Sequence, residues 1–312
     1  MNEITDAERR VWARLPAGAA AAIGGLSGSD LQVLMMGIAR ERAHRVRPAQ
    51  VLRRWRQDRL VRPAAADPRA VAALEARLWA MLPADVDGVF LSPVVPLGTC
   101  TSVAPQSPNR IVTTTRPVEV LSDPTNALAV EAADRRSRQG AGGEVHLAAT
   151  HQILRAQHFG PGRGSHFRLF SLVSSARDTG SGRTEARLLA RHLAFWRQIL
   201  PEVGGTVVHT VFDDPVLRER LAGMLPEDPG RQRGRGYYTG AALLMTAGGG
   251  LERGGAAGAP HGGNDAAERG GGAVELGDGG FTTWTAQLLG DAKERCLVSC
   301  LSTERMAALL AG

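Results

Sequence analysis

Three short segments of the 312-residue chain place arginines where a polyanion could be held. The first is a strand–loop–strand pattern over residues 145–173, with Arg155 late on the outgoing strand, Arg163 in a Gly-rich loop and Arg168 early on the return. Guanidiniums converging on one end of a hairpin suit phosphate oxygens, because each can bind two of them at once. The same arginines could instead cap a hairpin at the surface, and the segment alone leaves both readings open. The second is RGRGYYTG, Arg233 to Gly240, where glycines let the backbone approach a ligand and Arg233 adds a fixed charge. Read as the start of a strand, it sends Tyr237 and Tyr238 to opposite sides, one into the core and one toward a cleft. The third is CLSTERM, where Glu304 and Arg305 open a helix after a strand and Ser302 or Thr303 serves as N-cap. It too reads equally as a surface Glu-Arg pair.

Other chemistries lack their residues. There is no GK[ST] phosphate loop and no G-x-S-x-G elbow, and GPGRG between two antiparallel strands is not a dinucleotide fingerprint. His146, His151, His158 and His166 fit neither a helix face nor a zinc finger, so core or solvent roles are expected. Cys100, Cys296 and Cys300 give no disulfide framework and are expected as buried thiols, with no metal.

The elements that must carry these residues alternate irregularly. An Arg-rich helical region spans residues 1–66, with nine arginines from Arg40 to Arg62; Ser29 or Asp30 is an expected N-cap, and Val51, Leu52 and Trp55 are expected to face inward. That arginine face is either a solvated helix surface or a surface for tRNA or a protein partner. VRPAAADP is a linker. A helix over 68–82 puts Val71, Leu74, Leu78 and Met81 on one stripe, a second runs from Pro124, and TEARLLARHLAFWRQIL is clearly amphipathic. Hairpin-rich strands between these helices predict an α+β fold on an antiparallel β-sheet over 67–312. Residues 247–272 are Gly-rich and nearly free of apolar side chains, which predicts a mobile insertion.

The basic residues are arginines except Lys293, so a pI near 10.1 accompanies a net charge of only +6. No apolar run reaches the ~18 residues of a membrane span and the N-terminus lacks an apolar signal core, so a cytoplasmic location is expected.

Taken in order, these segments resemble the catalytic domain of class II aminoacyl-tRNA synthetases, closest to the histidyl branch and its paralogues. Helix 68–82 with GVFLSPVVP resembles motif 1, which implies a homodimer through that segment. LRAQ, a loop and HFRLF resemble motif 2, which implies that Arg155 binds the ATP α-phosphate and Arg168 acts as a second arginine. RGRGYYTG is similar to the histidyl signature Arg-Gly-Leu-Asp-Tyr-Tyr-Thr-Gly, implying contact of Arg233 with the reacting carboxylate and phosphate. GDGGFTTW resembles the segment lining the amino-acid pocket, which implies Gly279, Gly280 and Thr282 there beside Tyr237 and Tyr238. CLSTERM resembles motif 3, with Arg305 on the γ-phosphate and Glu304 also at the ATP site. The implied cofactors are ATP and Mg²⁺.

The departures fall on amino-acid recognition. Gln157 stands for the motif 2 glutamate, Gly236 for the aspartate of the tyrosine signature, GGFTT for Gly-Gly-Arg-Tyr-Asp, and Asp123 in LSDPTN for the glutamate that holds the substrate amino group. The sequence also has no segment resembling the anticodon-binding domain. The expectation is therefore adenylation of a small carboxylate with transfer to an acceptor other than a decoded tRNA. The alternatives are a catalytically inactive paralogue acting as a regulatory subunit, like that of short-form ATP phosphoribosyltransferase, and an RNA-binding factor.

Overall fold

A computed structural model describes residues 5–139, 142–159, 164–248 and 273–311. The expected mobile insertion, apart from residues 247 and 248, lies outside the described residues, as does Arg163. Four helices come first: α1 (Asp6–Trp12), α2 (Ala19–Gly24), α3 (Gly28–His44) and α4 (Pro48–Gln57). None of them contains a buried residue. Ser27, rather than Ser29 or Asp30, caps α3, its Oγ accepting the Asp30 N–H at 3.1 Å. Val51, Leu52 and Trp55 do not face inward: each is at least half exposed, because these helices enclose no core of their own.

The remainder is built from helices α5 (Pro68–Ala80), α6 (Pro124–Gln139), α7 (Arg183–Trp196), α8 (Pro215–Leu221), α9 (Trp284–Leu289) and α10 (Thr303–Ala311). Its strands are β1 (Asp87–Gly88), β2 (Val94–Pro96), β3 (Val118–Val120), β4 (Glu144–Leu154), β5 (His166–Arg177), β6 (Thr206–Val211), β7 (Thr239–Ala247), β8 (Val274–Thr282) and β9 (Glu294–Ser302). Seven strands form one sheet in the order β1-β4-β5-β9-β8-β7-β6; only β1 runs parallel to its neighbour. Strands β2 and β3 pair antiparallel as a separate ribbon. This is the expected α+β architecture on an antiparallel sheet. Among the described residues no helix is long and apolar enough to cross a membrane.

Helices cover both faces of the sheet. On one face α5, α7 and α10 pack on Phe170, Leu172, Leu297 and Leu301, with Phe195 stacked on Phe170 and Trp79 and Trp196 edge-on to it. On the other, α6 and α9 pack on Val145, Leu147, Ala149, Val173 and Val298. Side chains alternate along each strand, so consecutive residues of β5 serve different faces. Two polar devices cross the layers. Arg136 of α6 grips Glu294 of β9 at 2.7 and 3.1 Å, both side chains at least 95% buried. On the α7 face, Ser174 Oγ bridges His146 Nδ1 (2.8 Å) and His192 Nε2 (3.0 Å), and Ser299 Oγ meets His192 Nδ1 and accepts the Trp196 Nε1–H, each at 2.8 Å. Burial pushes His192 down to about 3, so it is a neutral core residue.

Candidate functional site

The register of the β4–β5 hairpin decides which of its arginines share a site. Gln152 pairs with Arg168, and Arg155 follows the last residue of β4, its N–H donating to Ser165 O at 2.8 Å. Phe167 and Leu169 turn toward the α6 face and line an open cleft, while Arg168 and Phe170 turn to the α5 face. Arg168 therefore does not reach the cleft. It forms a two-pronged ion pair with Glu75 of α5, Nε and Nη2 each at 2.8 Å, and Thr303 Oγ1 donates to the same carboxylate at 3.1 Å. Burial works against the Glu75 charge, but the Arg168 guanidinium, with Thr150 and Thr303, holds this carboxyl below its ordinary range. Glu304 accepts the Arg168 backbone N–H at 3.1 Å and also lies outside the cleft. Burial raises its carboxyl above the usual value.

The cleft encloses about 840 Å³ counted out to its open mouth. Arg155, Arg233, Arg305, Asp123, Gln157, Tyr237 and Tyr238 all line it, so the three motif arginines named from sequence converge with four of the expected pocket residues. Arg155 is held from two sides: Nε donates to Ser122 O at 3.0 Å, Nη2 stands 3.4 Å from Asp123 Oδ2, and the guanidinium carbon lies 5.3 Å from the Phe167 ring centre. Burial raises the Asp123 carboxyl, against the pull of Arg155 and of two hydrogen bonds from Thr125, the N–H at 3.0 Å and Oγ1 at 2.7 Å. Arg233 pairs with Glu275 at 2.6 Å and stands 3.9 Å from Asp278. Burial works to lower its pKa, and these two carboxylates more than offset that. Arg305, two residues into α10, donates through Nη1 to Glu275 O at 2.8 Å.

The two tyrosines lie in a turn, not on β7 as the strand reading expected. Left-handed backbone at Gly234 (φ 97°) and Gly236 (φ 80°) coils the segment before the strand begins, and Gly240 (φ 67°) sits at the register shift that opens β7. Both rings therefore line the cleft, 4.9 Å apart and mutually perpendicular, with Trp284 edge-on to Tyr237 at 5.5 Å. Burial and the nearby Asp278 raise both phenols far above their ordinary range, as Asp123 does too, so each stays a neutral hydroxyl. Gly280 does not line the cleft but supports it. A Cβ there would stand 2.6 Å from the Tyr238 ring, and one on Gly234 would stand 2.9 Å from its other edge. Gly279 instead lets β8 approach Ser299 of β9, and Thr282 is buried at the end of β8; neither lines the cleft.

Sequence reasoning did not place Gln106, Arg110, Glu275, Leu276, Asp278 or Cys300 at a site, and it named Ser302 only as a helix N-cap; all of them line the cleft. Cys300 was noted only as a thiol; burial and the carboxylates of Asp123 and Asp278 push it far up, so it is no thiolate nucleophile. The alternation of VELGDGG was a usable signal for Glu275 and Asp278; nothing in NRIV pointed to Arg110.

The donor set suits a polyphosphate or another polyanion. Four guanidiniums, those of Arg110, Arg155, Arg233 and Arg305, face one volume. Among the described residues no three His, Cys, Asp or Glu side chains gather as a metal-holding group. Mg²⁺ usually keeps several waters and needs only one or two carboxylates beside phosphate oxygens. Asp123, Glu275 and Asp278 are the carboxylates that line the cleft, and Glu275 is paired with Arg233.

No protein-family model matches the chain, and no curated protein matches it in sequence. Solved structures do match in shape. Apo histidyl-tRNA synthetase of S. aureus superposes with a TM-score of 0.53 at 14% identity, over 78% of this chain and 65% of that one. An ATP phosphoribosyltransferase regulatory subunit/histidyl-tRNA synthetase from Bacillus halodurans gives 0.56 at 11%, over 80% and 83%. A histidine–tRNA ligase subunit from Alicyclobacillus acidocaldarius gives 0.55 at 13%, over 80% and 97%. The chain thus has the class II aminoacyl-tRNA synthetase-like fold and spans slightly less than two thirds of the S. aureus enzyme.

Proposed function

We propose that the cleft binds ATP with Mg²⁺ and adenylates a small carboxylate, passing the acyl group to an acceptor other than a decoded tRNA. The observation that carries this reading is the convergence of Arg155, Arg233 and Arg305 on one volume with Asp123 and the two tyrosines. A carboxylate oxygen attacks the α-phosphorus, the bond to the bridging oxygen breaks, and pyrophosphate leaves; the acceptor's nucleophile then attacks the acyl carbon and AMP leaves. Arg155 and Arg233 screen the charge that develops on the phosphoryl oxygens, and Arg305 steadies the departing end. Mg²⁺ supplies further charge neutralisation when bound, with Glu275 or Asp278 holding it. Asp123, Gln157 and the tyrosines face the acyl group. The departures at Gln157, Gly236 and the GGFTT segment favour a carboxylate other than histidine. The cleft and its elements lie within 67–312, read as the catalytic-type domain, and residues 1–66 as a helical appendage.

A regulatory, non-catalytic role is the second reading. It is favoured by the ion pairing of Arg233 with Glu275 and its closeness to Asp278, which partly neutralises the site that a polyanion would need. In either case a second copy of the chain is the proposed partner of the motif 1-like segment. Phe90, two residues beyond β1 at the sheet edge, is wholly exposed, and Leu97 beyond β2 is more than half exposed.

Calorimetry with MgATP on wild type, Arg155→Ala and Arg305→Ala tests the choice. Micromolar binding in wild type is expected, with each variant weaker by at least about tenfold for the lost charge-assisted contacts. Carboxylates are then screened by pyrophosphate exchange. No binding at millimolar MgATP refutes adenylation and leaves the regulatory reading.

A further inference from the structure

The segment after α4 is stitched to the end of the hairpin that carries Arg155. Arg59 Nη1 donates to Gln157 O at 2.9 Å and to Ser165 Oγ at 2.6 Å, and its Nη2 donates to Ala156 O. One guanidinium thus spans both limbs of the hairpin, the outgoing one at residues 156–157 and the returning one at 165. Three residues on, Arg62 O meets His166 Nε2 at 2.6 Å, and His166 Nδ1 meets Gln152 Nε2 at 2.7 Å. These four hydrogen bonds between residues 5–62 and the sheet-bearing part all fall on this hairpin end. Ser165 is 99% buried, so the contact is enclosed rather than a passing surface touch.

This placement has a consequence for the cleft. Arg155 and Gln157 line it, and Arg59 does not. The backbone between them is fixed by the Arg155 N–H on Ser165 O and the Ala156 N–H on Arg110 O, each at 2.8 Å, and by the Arg59 guanidinium on the carbonyls of residues 156 and 157. Two cleft arginines, Arg155 and Arg110, are thereby tied to the same short stretch. Carbonyls at a strand end that find no partner inside the sheet leave a loop free to fray, and a planar five-donor group can hold several of them in one geometry.

We infer that Arg59 is a positioning residue for the cleft, by which the N-terminal helices hold the Arg155–Gln157 backbone in its binding geometry. Lysine cannot replace it fully, because a single ammonium cannot span three acceptors on two limbs with a fixed fork. The nucleotide arm of the test rests on the ATP reading; the backbone arm does not.

The test uses the full chain as wild type, Arg59→Ala and Arg59→Lys. Hydrogen–deuterium exchange should accelerate at the Arg155 and Ala156 amides by about tenfold in Arg59→Ala, less in Arg59→Lys, with the β7–β8 amides unchanged. In calorimetry the MgATP Kd should rise by about tenfold in Arg59→Ala, with partial rescue in Arg59→Lys. Unchanged exchange at residues 155 and 156 overturns the positioning role whatever the nucleotide does. Faster exchange with an unchanged Kd, in a chain that binds MgATP, overturns it too. A wild type that binds no MgATP refutes the ATP reading alone, and the exchange result then decides the role of Arg59.

Discussion

Replacing Arg168 by methionine separates two accounts of one residue. The motif resemblance puts this arginine at ATP; the structure puts it on Glu75, facing away from the cleft. Methionine keeps the aliphatic stem and removes the charge. Glu75 is then a carboxylate whose side chain is only 11% exposed and whose guanidinium partner is gone, with Thr303 still donating to it. Breaking a fully buried pair costs about 3–5 kcal/mol. The Arg168 side chain is one-third exposed, and solvent screening reduces the expected cost to about 2–3 kcal/mol. For a chain of this size that is a fall in Tm of about 3–5 °C. The double variant Glu75→Gln/Arg168→Met, which no longer strands a charge, should recover most of the loss. The pH dependence follows from the depressed Glu75 carboxyl. Its stabilisation is fully present above the ordinary 4.5 and is lost as pH falls through the lower folded value, so the gap between wild type and Arg168→Met narrows in acid. Differential scanning calorimetry at pH 7 and pH 4, with MgATP titrations at 25 °C, supplies all the readouts. Affinity within about threefold of wild type is expected, since an intact cleft keeps its own arginines. An unchanged Tm with MgATP binding abolished would refute the reasoning and return Arg168 to the phosphates.

Two further outcomes follow from the packing. Gly280→Ala puts a methyl 2.6 Å from the Tyr238 ring and 2.8 Å from Ala241 O, and the backbone oxygen has no room to yield; urea denaturation should show a loss of about 1–3 kcal/mol, with a changed near-ultraviolet dichroism from the displaced tyrosine. If both stay at wild-type values, the ring is not wedged between Gly234 and Gly280. His192, held at about 3 by burial, binds its proton far more weakly folded than unfolded, so stability should fall as pH drops below the ordinary 6.5. Urea melts at pH 6.5 and pH 4.5 should show wild type losing about 2 kcal/mol more than His192→Gln over that range; equal losses would mean that His192 takes up its proton in the folded state.

The hairpins and long helices were legible because their signals are local. TEARLLARHLAFWRQIL carries its apolar stripe at helical spacing, and Leu188, Leu189, His192, Leu193, Trp196 and Leu200 are buried as the spacing predicts. The order of the arginine-bearing segments was legible too, and Arg155, Arg233 and Arg305 do share one cleft. What was lost depended on direction or on distant partners. HFRLF contained the answer for Arg168: with Phe167 and Leu169 on one face, period two sends Arg168 to the other. The tyrosine pair was misplaced because left-handed Gly234 and Gly236 override the strand propensity at the start of YYTGAALL. Strand β6 and helix α8 were not anticipated at all. Trp55 and its neighbours follow an amphipathic pattern that the described chain does not cover, so periodicity alone named a buried face that is open.

The chain contains only two tyrosines, and both line the cleft. A label that follows tyrosine, such as fluorine on the ring, would therefore give two resonances and no background from elsewhere. Because burial and neighbouring carboxylates keep both phenols protonated far into alkali, phenolate absorbance would not intrude at neutral pH. The perpendicular rings and the indole of Trp284 make the pair sensitive to small rotations through ring-current shifts. The cleft carries its own spectroscopic reporter, able to register an occupant of any chemistry before its identity is known.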